Sequence, residues 1–279
     1  MKKQVILISD MEGASGIFDD NWEACLHGSD LWREYGREYL TSDILAVCEA
    51  VNDSGVDEIM LYDSHFAGDA EYNVIIEKLP SNVRFFDVPD RCFYWRRIRG
   101  QAMWEPYGII TVGQHARYGE KNAYFPHSIQ SPPIKAIWIN DYNIAEIGSS
   151  VLNFCGTKYL ANIGDEASHR EAKELSKTVS CITVKDKERN WEPSPAETYP
   201  IIYQGVLDAF KNINKKEPII IEGSCNCSLE LVDGYHFEAP KDFPWKGSFS
   251  STEAKWEAPN VEIALELFND VRECICKDT

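Results

Sequence analysis

Short hydrophobic runs alternate with helix-like segments along the chain, and this alternation limits the folds open to it. Apolar, β-branched runs predict strands at 4–9, 57–63, 83–88, 107–113, 135–140, 157–163, 179–184 and 217–222. Apolar residues at helical spacing predict helices at 31–53, 165–178, 195–213 and 260–275. We therefore expect an α/β fold, a mainly parallel sheet with helices on both faces.

The composition changes after about residue 186. Segment 187–198 is polar and contains proline, and residues 223–259 are rich in Gly, Pro, Ser and Trp with weak periodicity. We expect an α/β body over 1–185 that carries the chemistry. A smaller C-terminal portion over 186–279 would pack on it and contribute to a substrate pocket or to contacts between subunits.

The charge of the chain excludes several classes of function. Its 279 residues include 28 basic and 45 acidic ones, for a formal net charge of −17. Nucleic acids and anionic membrane surfaces both require the opposite sign. No apolar run approaches the ~20 residues of a membrane helix, and the apolar run before Ser9 is too short for a secretory signal. We expect a cytoplasmic protein that binds neither nucleic acid nor a membrane.

The nine cysteines contain no CxxC pair. In a cytoplasmic chain this pattern indicates buried or free thiols rather than a disulfide framework. Two CxC pairs occur, Cys225-Asn226-Cys227 and Cys274-Ile275-Cys276. A soft-metal site at either pair is disfavoured, because structural zinc sites usually take ligands two to four residues apart.

The first predicted strand ends in two carboxylates. Val5–Ile8 leads directly into a loop that holds Asp10, Glu12, Gly13 and Gly16. In open α/β sheets, ligand sites lie beyond the carboxyl ends of the strands, and glycines allow the backbone to turn tightly there. Metal ligation fits both acids. The alternative is that Asp10 only caps a helix N-terminus, and the fragment alone does not separate the two.

Polar residues also follow four other predicted strands. They are Asp63-Ser64-His65, Gly113-Gln114-His115, Asn140-Asp141 with Glu146 at the start of the next helix, and Gly164-Asp165. At one sheet edge, three carboxylates and two imidazoles would converge: Asp10, Glu12, Glu146, His65 and His115. This set suits zinc or a related divalent ion. Five ligands suit two metals that share a carboxylate.

Each of these residues also has a simpler interpretation. His65 and His115 fit strand-end histidines that bond to the backbone. Glu146 fits an acid favoured by the helix dipole, and Asp165 fits an N-cap. Convergence of several such groups at one edge favours the metal site.

The same residues lie within an ordered series of motifs. In chain order these are Ser9-Asp10-Met11-Glu12-Gly13, Arg37–Asp43, Asp63-Ser64-His65, Gly113–Ala116, Pro126-His127-Ser128, Ile139-Asn140, Ala145–Gly148 and Gly164-Asp165. The series spans residues 4–186 and resembles the DppA-type D-aminopeptidases, binuclear zinc metallopeptidases with an SxDxEG motif.

The resemblance implies a role for each ligand. Asp10 would be the carboxylate shared by both zinc ions. Glu12 and His65 would complete one site, and His115 and Glu146 would complete the other.

The resemblance also implies a reaction. His127 stands at the position of the family's active-site histidine and would act on the substrate or on the attacking water. The reaction would be hydrolysis of a peptide bond next to a free D-amino terminus, in a homo-oligomer with shielded active sites.

Three positions depart from the family pattern. Phe66 replaces a glycine after His65, Asp141 replaces a glycine after Asn140, and Ser128 replaces a threonine. Beyond residue 185 the likeness is faint. We expect the metal site to be kept and the pocket to be reshaped, for a D-peptide, an L-peptide or another amide.

Two other functions fit part of the pattern. A phosphoesterase on the same ligands is disfavoured because no phosphate loop is evident, and a non-catalytic, metal-stabilised oligomeric binding protein is disfavoured by the presence of His127. The basic, aromatic segment Arg91–Arg99 either holds a substrate carboxylate through an Arg fork or, as we favour, lies at a subunit interface.

Overall fold

The computed structural model of the chain describes residues 2–65, 71–86, 106–129, 132–238 and 246–278. Phe66, the segment Arg91–Arg99 and the end of the predicted strand 83–88 lie outside the described residues.

A six-stranded parallel sheet forms the centre of the fold. In spatial order its strands are Val83–Phe86 (β3), Glu58–Asp63 (β2), Gln4–Ser9 (β1), Gly108–Gln114 (β4), Tyr159–Asp165 (β7) and Ser180–Lys185 (β8). The chain builds outward from β1 to β3 and then returns to the other side of β1 with β4. The order therefore reverses between β1 and β4, which is where open α/β sheets bind their ligands.

The central strands are apolar because both faces of the sheet are covered. Every residue of β1 and of β4 is buried, as expected for strands between two layers. Alternate residues serve different layers. Leu7 packs in one core with Ile44 and Val206, whereas Ile8 packs in the other with Ile147.

Helices cover both faces of this sheet. One core contains residues from Arg37–Asp53 (α1) and Pro195–Lys211 (α4), and the other contains residues from Glu146–Leu152 (α2), His169–Leu175 (α3) and Val261–Arg272 (α5). A π-helical turn at Trp32–Gly36 leads into α1. The predicted fold class is thus confirmed.

The second core also holds antiparallel strands. A five-stranded sheet has the spatial order Gly247–Phe249 (β11), Glu253–Ala258 (β12), Cys225–Leu231 (β9), Ile134–Ile139 (β5) and Tyr142–Ile144 (β6). A two-stranded ribbon pairs Tyr235–Phe237 (β10) with Ile275–Lys277 (β13). Strand β9 pairs with β5, so one sheet draws on chain from both sides of residue 185. The division at that residue stays a prediction.

One strand prediction was wrong, and another predicted strand lies in a different sheet from the one expected. The strand expected at 135–140 forms, but it joins the antiparallel sheet, with Ile137 opposite Leu229. An apolar run indicates that a strand is buried, but it does not identify the strand with which it pairs. The strand expected at 217–222 does not form. Pro218 makes only an isolated bridge with Lys158, and proline has no N–H to extend a ladder.

Two further expectations concern the surroundings of the protein. Among the described residues, no helix is both long enough and apolar enough to cross a membrane. The eight cysteines in the described part of the chain are all free.

Candidate metal centre

The loop after β1 carries Asp10 and Glu12 to the edge of the parallel sheet. Asp10 N–H donates to the carbonyl of Val112 at 2.9 Å, and Gly13 N–H donates to that of Gly113 at 2.8 Å. The loop therefore runs along the end of β4. Both carboxylates point into the interior: Asp10 is buried, and Oδ2 of Asp10 and Oε2 of Glu12 have no hydrogen-bond partner among the described residues.

Two glycines permit this close approach. A Cβ at Gly113, whose φ is +73°, would lie 1.9 Å from the carbonyl oxygen of Asp10, and a Cβ at Gly13 would lie 2.0 Å from that of Gln114. Such distances exclude any side chain. Gly13, predicted as a turn residue, is thus also required for backbone packing.

Two histidines follow the strands on either side of β1. His65 comes after β2, and its Nε2 lies 3.1 Å from Oε1 of Glu12. His115 comes after β4, and its Nδ1 donates to the carbonyl of Ala116 at 2.8 Å. A carbonyl only accepts, so Nδ1 carries the proton and Nε2 of the neutral ring keeps its lone pair. This is the orientation of a metal-binding histidine.

Glu146 and His127 close the opposite side of the site. Glu146 begins α2, and Nε2 of His115 lies 3.4 Å from its Oε2 and 3.5 Å from Oδ2 of Asp10. His127 Nε2 lies 3.7 Å from Oε1 of Glu146, and its Nδ1 donates to the carbonyl of Phe125 at 2.8 Å. Neither carboxylate oxygen of Glu146 has a hydrogen-bond partner within the described ranges.

All six residues singled out in the sequence therefore meet in one place. Two overlapping groups have their ligand atoms within 4.8 Å of one another: Asp10, Glu12 and His115, and His115, His127 and Glu146. His65 adjoins the first group through Glu12.

The buried charges shift one another's pKa values. Burial raises the pKa of Asp10 well above its usual value, and the Glu12 carboxylate adds to the rise. Burial acts the same way on Glu12, but the adjoining imidazole of His65 outweighs it and holds the pKa of Glu12 well below its usual value. Burial opposes the charge on His65, yet Glu12 raises its pKa to about 9.

The pKa values of the two remaining histidines, His115 and His127, shift in opposite directions. Burial opposes the charge on His115, but Glu146 and Asp10 raise its pKa well above the usual value. Burial lowers the pKa of His127, and His115 lowers it further. At neutral pH His127 is therefore neutral.

The residues present fit a divalent metal. Buried charged atoms without partners are costly unless a counter-charge meets them, and Asp10, Glu12 and Glu146 all present such oxygens. Carboxylate oxygens and imidazole nitrogens are the ligands that zinc takes in catalytic sites. Without a metal, protons on His65 and His115 balance the carboxylates.

Lys185 supports the site and was not predicted as a functional residue. It ends β8 fully buried, and its Nζ donates to the carbonyls of Glu12 at 2.6 Å, Ala14 at 3.1 Å and Ile17 at 2.5 Å. The lysine thereby holds the loop that carries both acids. Its only sequence signal is a charge at the end of an apolar strand.

Glu171 supports the other side and was also missed. This buried residue of α3 accepts hydrogen bonds from the N–H groups of Ala145 and Gly148, both at 2.7 Å. These bonds tie down the first turn of α2, where Glu146 lies. Burial raises the pKa of Glu171 to about 7.

Two other predicted residues lie around the centre, and a third lies elsewhere. Asp165 is the N-cap of a helical turn, accepting from Ala167 N–H at 3.1 Å, and it also accepts from Tyr124 N–H at 2.7 Å. Asp63 accepts from the N–H of His65 at 3.3 Å. Asn140, expected at the same edge, instead accepts from Asn226 N–H at 2.9 Å in the antiparallel sheet.

Comparison with known proteins gives a consistent result. No protein of curated function matches the chain by sequence. The structure is similar to that of the Zn-dependent D-aminopeptidase DppA from Bacillus subtilis, described as a self-compartmentalizing protease. The TM-score is 0.79 with 21% identity over 97% of each chain, a likeness of fold. The sequence model of the D-aminopeptidase family, peptidase M55, matches residues 3–269. This protein therefore belongs to the D-aminopeptidase family, which confirms the aminopeptidase class predicted from its motifs.

Proposed function

We propose that the protein removes the amino-terminal residue, in the D configuration, from a small peptide or amide, with two Zn²⁺ ions bound at this centre. Asp10 would be shared, with Glu12 and His65 on one ion and His115 and Glu146 on the other. One observation carries the proposal: four carboxylate oxygens point into one buried site with no hydrogen-bond partner among the described residues. The zinc dependence of DppA supports the choice of metal.

The metals supply the first part of the chemistry. When bound, the ions lower the pKa of a water molecule and polarise the scissile carbonyl. The protein's contribution is to hold the donors in place, through the Lys185 bonds to the Asp10–Glu12 loop and the Glu171 bonds to the first turn of α2. Donors fixed in this way need no reorganisation during the reaction.

His127 supplies proton transfer. Its Nδ1 is fixed by the carbonyl of Phe125, so Nε2 is the free position, and it faces Glu146. Because the pKa of His127 is lowered, Nε2 is unprotonated at neutral pH, so it can take the proton that the attacking water gives up and pass it to the leaving amine. The buried carboxylates also suit a substrate with a free, positively charged amino group.

We further infer a homo-oligomer in the cytoplasm. The self-compartmentalizing assembly described for DppA supports the first inference, and the free cysteines of the described part of the chain support the second.

The test combines metal analysis with a substrate panel of D- and L-aminoacyl p-nitroanilides and p-nitrophenyl phosphate. We expect D-aminoacyl substrates to be preferred and activity to be lost with a chelator and restored by zinc. Asp10→Asn should lose two metal equivalents and the activity. Asp141→Asn, at an exposed position of the same residue type, should keep both.

Three outcomes would contradict the proposal. Preferred hydrolysis of the phosphate ester would make the protein a phosphoesterase. A metal-loaded protein with no turnover on any substrate would fit a binding protein. Equal metal content in Asp10→Asn and the wild type would remove Asp10 from the ligand set.

A further inference from the structure

A second group of metal-ligating side chains lies on the β10–β13 ribbon. The strands are antiparallel, and His236 stands directly opposite Cys276. One ligand atom each from His236, Glu238 and Cys276 lie within 4.8 Å of one another. Ligands on a tetrahedral zinc ion, at bond lengths of about 2.0–2.3 Å, are separated by about 3.3–3.8 Å. Small side-chain movements are therefore enough to close the site.

The alternation of the ribbon places these side chains on one face. Residues two apart in a strand share a face, so His236 lies beside Glu238, and Cys276 beside Asp278. The intervening residues face the protein: Phe237 is buried in the second core, and Ile275 packs against it. The polar face is thus directed away from the core and accessible to an ion from solution.

The hydrogen bonding of His236 prepares it as a ligand. Its Nδ1 lies 2.7 Å from Oδ1 of Asp278, and its Nε2 lies 3.8 Å from Oε1 of Glu238. A carboxylate partner on Nδ1 fixes the ring and directs Nε2 to a metal, the usual carboxylate–histidine–zinc arrangement.

We propose that this face binds one thiophilic divalent cation, with Zn²⁺ as the natural occupant, through Cys276 Sγ, His236 Nε2 and Glu238 Oε1. Asp278 orients the histidine. Binding releases the thiol proton and forms a metal–sulfur bond. The site is separate from the candidate centre, whose ligands are all oxygen and nitrogen atoms.

The site does not use the CxC pair as such. The other cysteine of the pair, Cys274, lies with its Sγ 3.3 Å from the carbonyl oxygen of Asp270, its hydrogen-bond acceptor. Cys276 instead meets residues about forty positions earlier in the chain. The bound ion would cross-link the two strands of a ribbon that is otherwise marginal on its own.

Cobalt binding tests the proposal in the full chain. Co²⁺ bound to a thiolate gives a sulfur-to-cobalt charge-transfer band in the near ultraviolet, which oxygen and nitrogen ligands do not. In a phosphine reductant, and with the candidate centre first filled with zinc, we expect the saturated band of the wild type to correspond to one thiolate-bound cobalt ion per chain. It should be lost in Cys276→Ser and kept in Cys274→Ser, the matched control.

Two further variants keep the result decisive. His236→Gln retains every thiol but removes a proposed ligand. The cobalt affinity read from the band should fall by at least about 10- to 100-fold, the loss that follows removal of an orienting partner. Asp10→Asn should leave the band unchanged, which separates this site from the candidate centre and from the proposed function. Absence of the band in the wild type at saturating cobalt, or an equal band in Cys276→Ser, overturns the proposal.

Discussion

The imidazole rings of His115 and His127 stack face to face, with centroids 4.0 Å apart and 9° between their planes. Two positive charges at this distance repel, so the rings take different protonation states. Glu146 and Asp10 overcome burial and raise the pKa of His115, whereas burial and His115 lower the pKa of His127. This difference supports the proposed roles, a metal ligand for His115 and a proton-transfer group for His127.

Replacement of these two histidines should have different consequences. We expect His127→Gln to reduce kcat by roughly 10²- to 10⁴-fold, the usual contribution of a general acid–base group, with metal content unchanged. His115→Gln should lose metal as well as activity. Turnover and elemental analysis on the same preparations make the comparison. If His127→Gln also lost a metal equivalent, that residue would be a ligand, as its place in the second group of ligand atoms would allow.

Removal of the buried amino group of Lys185 should destabilise the protein. In Lys185→Met, the carbonyls of Glu12, Ala14 and Ile17 lose their donor, and buried groups without partners are costly. We expect a loss of about 2–4 kcal/mol in the free energy of unfolding and weaker metal binding. Lys211→Met removes a surface pair with Asp208 and should change stability by less than about 0.5 kcal/mol. Urea unfolding measures both, and similar losses in the two variants would contradict the supporting role.

The free energy of unfolding of the wild type should depend on pH through the carboxyl group of Asp43. This buried residue of α1 accepts a hydrogen bond from Ser15 N–H at 2.8 Å, and burial raises its pKa to about 6. In the unfolded chain the pKa is about 3.9. The native state therefore binds more protons between these values, and this contribution to stability falls as pH rises from about 4 to 6.

Asp43→Asn removes that titration. The variant should gain stability relative to the wild type as pH rises, by up to about 3 kcal/mol between pH 4 and pH 7. Urea unfolding of both proteins across this range measures the difference. A difference that stays constant with pH would show that the carboxyl group does not titrate as described.

Substitutions at two glycines distinguish the cost of steric overlap from the cost of a positive φ. Gly113 and Gly119 both have positive φ, +73° and +83°, but a Cβ at Gly119 meets nothing within 4 Å. Gly119→Ala should cost about 1–2 kcal/mol, the conformational penalty alone. Gly113→Ala should cost more and reduce metal content, because its Cβ would displace the carbonyl of Asp10. Thermal unfolding and metal analysis measure both variants. Equal effects of the two substitutions would show that the close approach of Gly113 to Asp10 is unimportant.

Much of the parallel sheet was predictable from local sequence. The strand predicted at 4–9 matches β1, and those at 57–63 and 107–113 match β2 and β4 within one residue. Buried strands are continuous apolar runs, and such runs are visible without tertiary information. The strand at 135–140 was assigned to the wrong sheet, because its pattern does not identify the strand that it pairs with.

Part of the candidate site could also be predicted from the sequence. Chain order and strand ends sufficed to name Asp10, His65 and His115, since the carboxyl ends of parallel strands meet at one edge. Their roles as metal ligands stay a prediction. Asp165 was the N-cap that its simpler interpretation predicted.

The sequence by itself determined which polar residues stand at the strand ends, because strand periodicity and chain order are local properties. Only the tertiary structure decided what surrounds them. Lys185 reaches the Glu12 loop from more than 170 residues away, and Cys276 meets His236 across a ribbon. Burial, pKa and coordination depend on distances between residues far apart in the chain, and these distances exist only once the chain has folded.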